Sequence, residues 1–135
     1  RLAREIGVHA STDITGFALL GHGYEMAVRS GARLCFHFDR LPFLDGALRY
    51  ADEWLFPAGT CRNEACFSRH VTFVPAIRDE MRQLLYTPET SGGLLLAVPP
   101  GKADALAAAF ATAGEPLWII GEVLSGEGIE VRHAA

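Results

Sequence analysis

No run of hydrophobic residues in this chain approaches the ~20 that a membrane-spanning helix needs, although half of its 135 residues are hydrophobic. The apolar residues therefore have a core to build, and they are too many for a disordered chain. Basic charge is not in excess either: 12 Lys and Arg stand against 16 Asp and Glu, for a net charge of −4. Those basic residues are scattered, which removes the electrostatic footprint of a nucleic-acid or anionic-lipid binder. Cysteine is scarce. Cys35, Cys61 and Cys66 form an odd set without a Cys-x-x-Cys pair, which argues against a disulfide framework and fits a reducing, cytoplasmic setting. Cys61, Cys66 and His70 lack the paired spacing of a zinc module. No glycine-rich loop ends in Gly-Lys-Ser or Gly-Lys-Thr, so there is no Walker loop, and no Ser-His-Asp or Cys-His arrangement supplies a catalytic nucleophile. The start lacks the charged-then-apolar layout of a signal peptide. It opens on Arg1, and residues 1–7 read as the last turns of a helix, so we expect a fragment of a longer protein.

What the chain does contain is organised around Ser11-Thr12-Asp13-Ile14-Thr15-Gly16, where a short apolar approach, Val8 to Ala10, delivers an acidic residue to the mouth of a helix. Thr12, Asp13 and Thr15 are all N-cap residue types. From Thr15 the apolar positions Phe17, Leu20, Tyr24 and Ala27, widened by Leu19 and Met26, follow helical spacing, and Gly31 is a natural stop. Asp13 has two readings. Spacing alone favours a helix cap over a metal ligand; the alternative is a single hard carboxylate of the kind that magnesium takes together with nucleotide phosphates.

Further along, Ala32, Leu34, Phe36 and Phe38 alternate with polar partners, predicting a strand with one buried face. A short helix is expected from Gly46 to Trp54 with Ala47, Leu48, Ala51 and Leu55 inward. Residues 56–63 carry loop chemistry, 71–74 have β character, and 77–86 read as a helix ended before Pro88. Thr90-Ser91-Gly92-Gly93 precedes the apolar run Leu94 to Val98, which predicts a central strand covered on both faces. The turn offers hydroxyls and backbone N–H groups that can form an anion-binding nest; tight packing of two backbones is an equal claim on its glycines. A helix over 102–113 stops at Gly114. Residues 117–123 and 129–131 then read as a hairpin through Ser125 to Gly128. Interleaved strands and helices predict an α/β or α+β domain layered on one mixed sheet.

Three ordered stretches carry a resemblance: TDITGFALLGH from Thr12, GTCRN at 59–63 and PETSGGLLLAV at 88–98. Together they resemble the C-terminal domain of the selenophosphate synthetases (selenide, water dikinases), within the aminoimidazole ribonucleotide synthetase superfamily, and the similarity runs over essentially all 135 residues. This sequence has Ala18 where that family usually has glycine and Glu89 where it usually has glutamine. The resemblance implies the layered C-terminal fold of that superfamily, partly ferredoxin-like, and a single C-terminal domain over 1–135 whose N-terminal ATP-binding domain lies outside the chain. It implies Mg2+ held in part by Asp13, phosphate-side contacts from Thr90, Ser91, Gly92 and Gly93, and ATP and selenide as substrates. The catalytic Cys or selenocysteine and its lysine would lie in the N-terminal segment. Partners would be the protein's own N-terminal domain and a second copy in a homodimer. A sister ATP-dependent synthetase or kinase, or a non-catalytic binding or dimer-forming module, are the alternatives.

Overall fold

The computed structural model describes residues 1–135 as six α-helices, three single-turn 3-10 helices and six strands. Helix α1 (Leu2–Ile6) is followed by strand β1 (Ala10–Asp13), helix α2 (Ala18–Ser30) and strand β2 (Arg33–His37). Then come helices α3 (Ala47–Asp52) and α4 (Gly59–Phe67), strand β3 (Val71–Phe73), helix α5 (Asp79–Leu85) and strand β4 (Leu94–Ala97). Helix α6 (Ala103–Ala113) and strands β5 (Gly121–Leu124) and β6 (Ile129–Arg132) complete the chain. No helix is long and apolar enough to cross a membrane.

The strands divide between two sheets, so the expected single sheet is corrected. β1 and β4 form an antiparallel ribbon of two, and the other four lie in the order β3-β6-β2-β5. In the larger sheet β2 is parallel to β6, β6 is parallel to β3, and β2 is antiparallel to β5. The expected hairpin is therefore absent. β5 and β6 run in opposite directions but are separated by β2, which has hydrogen-bonding edges for both and apolar residues on the inner face. β4 is likewise not a central strand: it pairs with β1 alone, and its first residue, Leu94, is 73% exposed.

The core lies between the inner face of the larger sheet and its covering helices. Leu34, Phe36, Ile129 and Val131 pack in one cluster with Leu20, Met26 and Ala27 of α2 and Met81 and Leu85 of α5. Leu20 is fully buried, a burial that stabilises by about 2 kcal/mol before entropy is counted. The helical periodicity read from Leu20, Ala27 and Met26 thus selects the face that the fold buries, and Gly31 ends α2 with φ 60° as expected. Three readings change. Cys35 is buried together with Leu34 and Phe36, so β2 is covered on both faces. In α3 only Ala51 is buried, while Leu48 and Leu55 are exposed. Residues 59–63, expected as loop, form the first turns of α4; tertiary bonds from Thr60 and Asn63 hold them helical against their weak propensity.

Candidate functional site

Asp13 ends β1 and stands opposite Leu94 of β4. Strand alternation turns Ala10 and Thr12 inward and leaves Ser11 and Asp13 exposed. The Asp13 carboxylate makes no hydrogen bond or ion pair; only its backbone carbonyl is engaged, accepting from the Thr12 hydroxyl at 3.2 Å. The capping role that spacing favoured is absent. α2 begins after Phe17, with no side-chain cap bond, because the four residues Ile14 to Phe17 separate Asp13 from the helix. The ring of His22 does the work instead. Its Nε2 accepts from the Phe17 N–H at 3.2 Å and lies 2.9 Å from the Thr15 hydroxyl. Accepting there places the ring proton on Nδ1, which faces Glu25 at 3.4 Å.

The ladder between β1 and β4 continues past both strands and brings the Thr90–Gly93 turn beside Asp13. The Ile14 N–H donates to the Gly93 carbonyl at 2.9 Å, the Gly92 N–H donates to the Ile14 carbonyl at 3.0 Å, and the Glu89 N–H donates to the Thr15 carbonyl at 3.0 Å. A Cβ on Gly92 would strike the Ile14 carbonyl oxygen and the Glu89 carboxylate, whereas one on Gly93 would meet nothing within 4 Å. Gly92 is therefore a backbone-packing glycine. Thr90, Ser91 and Gly93 are exposed, and their backbone N–H groups donate to no acceptor in the chain. That leaves unpaired donors on exposed residues near an unpaired carboxylate.

The third motif locks the first two together. Asn63 is buried, and its Nδ2 donates to the carbonyls of Gly16 and Tyr86, each at 2.9 Å. The Thr87 hydroxyl donates to the Gln83 carbonyl at 3.2 Å, so the Thr60 hydroxyl, 3.2 Å away, donates to Thr87. Gly59 lets α4 approach Pro88, whose Cγ would be 2.5 Å from an added Cβ. Asn63 and His22 are the two residues whose structural roles the sequence did not disclose. Both sit inside motifs the sequence singled out; His22 lies two helical turns after Thr15 and so on its side, yet that spacing does not name the Phe17 N–H as its partner, and nothing in the spacing of Asn63 names Gly16, 47 residues away.

Two titratable groups here are shifted. Desolvation holds the Glu89 carboxyl above its ordinary range, although its outer edge is open to solvent, and His22 opposes the shift. Burial pushes the Tyr86 hydroxyl far up, with Glu64 adding to the effect and Arg82 opposing it. Cys61 and Cys66 are exposed and His70 stacks on Tyr24 at 4.1 Å. They do not form a ligand cluster.

The fold is thus an α+β domain in which a two-stranded ribbon sets one unpaired carboxylate beside an exposed turn. The chain belongs to the family described as AIR synthase related protein, C-terminal domain, whose profile matches residues 1–134. It is similar to a selenide, water dikinase of Caldanaerobacter subterraneus subsp. tengcongensis, 44% identical over 105 residues that make up 78% of this chain and 30% of that protein. The chain thus spans about a third of the length of the curated relatives it matches. In fold it is similar to a thiamine-monophosphate kinase from Stenotrophomonas maltophilia K279a, with a TM-score of 0.62 at 21% identity, covering 95% of this chain and 33% of that one. It is also similar to AaThiL, solved in complex with AMPPCP and TMP, with a TM-score of 0.56 at 19% identity, covering 92% and 30%.

Proposed function

We propose that this chain is the C-terminal domain of an ATP-dependent selenophosphate synthetase, which converts ATP, selenide and water to selenophosphate, AMP and phosphate. The observation that carries the reading is the convergence of Asp13, Gly16, Asn63 and Thr90–Gly93 at one end of the β1–β4 ribbon, in a chain whose relatives are selenide, water dikinases. A fold neighbour carries the ATP analogue AMPPCP.

In this reading Asp13 is a Mg2+ ligand. The fit rests on its exposed carboxylate, which has no duty within the fold, and on hard oxygen chemistry. It belongs to no set of three clustered protein ligands, as expected of an ion shared with nucleotide phosphates and not caged by protein. Mg2+ bound there would neutralise charge on the phosphate oxygens. The free N–H groups of Thr90, Ser91 and Gly93, with the Thr90 and Ser91 hydroxyls, contact a phosphate; Gly92 holds the turn to Ile14. The remainder of the nucleotide site and the catalytic Cys or selenocysteine belong to the N-terminal domain, with which this domain packs in a cytoplasmic homodimer.

The test is Asp13→Asn in the full-length protein. Since Asp13 holds no structural bond, the variant keeps its melting temperature while selenide-dependent AMP formation falls by about a hundredfold or more. Unchanged turnover with unchanged Mg2+ dependence overturns the assignment. A sister synthetase or kinase differs in its readout: it forms a phosphorylated product without selenide.

A further inference from the structure

Away from the Asp13 end of the molecule, one group of side chains combines a thiol, an imidazole and a carboxylate. Cys35 and His37 stand two residues apart on β2 and so share one face of the strand. Glu122 is the register partner of Cys35 on β5. One donor atom from each, the Cys35 Sγ, a His37 ring nitrogen and a Glu122 carboxylate oxygen, lie within 4.8 Å of one another. We propose that β2 and β5 carry a site for a divalent transition-metal ion of the zinc class, ligated by Cys35, His37 and Glu122.

The donor set decides the ion. A thiolate with an imidazole suits Zn2+ and its neighbours, whereas Mg2+ takes oxygen ligands, so this site does not compete for the ion assigned to Asp13. Two ligands at i and i+2 with a third from the adjacent strand give three corners of a tetrahedron on a rigid sheet. Donor atoms around zinc sit about 3.5 Å apart, so the three need to draw in by about 1 Å.

Each side chain is in a state that ligation would complete. The His37 Nδ1 is buried with no hydrogen-bond partner, and Nε2 has only a 3.5 Å approach to the Glu122 Oε1; a buried ring nitrogen left unpaired is uncommon. Cys35 is fully buried. Desolvation keeps its thiol protonated, with Arg132 opposing and Glu130 and Glu122 reinforcing, so the ion displaces that proton to solvent and forms the S–metal bond. The Glu122 Oε1 accepts from Arg132 at 2.7 Å, while Oε2 has no partner. Arg132 is the competitor, since its guanidinium supplies the positive charge that balances Glu122. Its side chain is 40% exposed and also faces Glu130 at 3.7 Å, so it has an acidic partner to keep when an ion takes Glu122.

The test uses the full-length protein with Cys61→Ser and Cys66→Ser, which removes the two exposed thiols, and Co2+ as the probe. The expected result is a near-ultraviolet thiolate-to-cobalt absorption reaching its limit at one equivalent, displaced by Zn2+ and lost in Cys35→Ser. His37→Gln weakens binding by about tenfold or more, and Arg132→Gln tightens it, a gain that a purely structural network would not give. Melting temperatures without metal report on folding; if Cys35→Ser does not fold, the half-buried His37→Gln decides. Absorption that persists unchanged in Cys35→Ser or His37→Gln, or that no variant shows, overturns the proposal.

Discussion

Ala18 carries the clearest local strain in the chain. It opens α2 at φ 62° while its side chain is buried, and an L-residue in that region costs about 1–2 kcal/mol. Removing its methyl also removes buried area, so the two effects offset. Ala18→Gly is therefore expected to leave stability within about 0.5 kcal/mol of the parent. Ala27→Gly, at an equally buried position inside the same helix, should cost about 1 kcal/mol or more. Denaturant midpoints for the pair check the contrast, and equal losses would count against the strain. Glu89 offers a pH-dependent comparison. Because burial raises its pKa above the ordinary 4.5, the folded chain holds that proton to higher pH than the unfolded chain does. The cost of ionising it is absent below 4.5 and grows as pH rises through the folded value. Glu89→Gln should thus stabilise the protein at neutral pH and lose that advantage in acid. Melting temperatures of the two proteins measured from pH 4 to pH 8 would be parallel if the shift were absent.

Within the elements, the turn after α5 separates two roles that its sequence left equal. Gly92 has a backbone carbonyl where its Cβ would go, and Gly93 has open space. Gly92→Ala should force β4 away from Ile14, costing about 1–3 kcal/mol and lowering full-length activity about tenfold or more through the displaced Asp13. Gly93→Ala should retain the parent's stability. Chemical denaturation and AMP formation assays read both, and a tolerated Gly92→Ala would contradict the packing. Much at this scale was legible in the residues. The 3.6-residue stripe of α2 and its stop at Gly31, the strand through Leu34 and Phe36, and the stop of α6 at Gly114 all follow from local pattern. The first turns of α4 were not, because Thr60 and Asn63 are helical only by virtue of bonds to Thr87, Gly16 and Tyr86. The spacing of His22 put it on the side of Thr15 but read as an ordinary packed or surface histidine, because its ring serves a turn that precedes its helix.

At the scale of the whole molecule, local pattern named most of the strands and not their neighbours. The run from Leu94 looked central because it is continuously apolar, yet it borders one partner, and its exposed Leu94 lies opposite Asp13. The three motifs do meet, so the sequence named stretches that the fold brings together, while the bonds that join them were not legible. On the proposed division of labour, this domain supplies one carboxylate and one turn and should not turn over ATP by itself. Purified residues 1–135 should form no AMP with selenide, ATP and Mg2+ under conditions where the full-length protein does, and appreciable product from this piece would refute that division of labour. The order of the larger sheet bears on a different event. Strand β6 holds both β2 and β3 and is the last element of the chain. During ribosomal synthesis β2 waits with both flanks bare until β5 and β6, each more than about eighty residues further along, have cleared the exit tunnel, so the larger sheet cannot close before then.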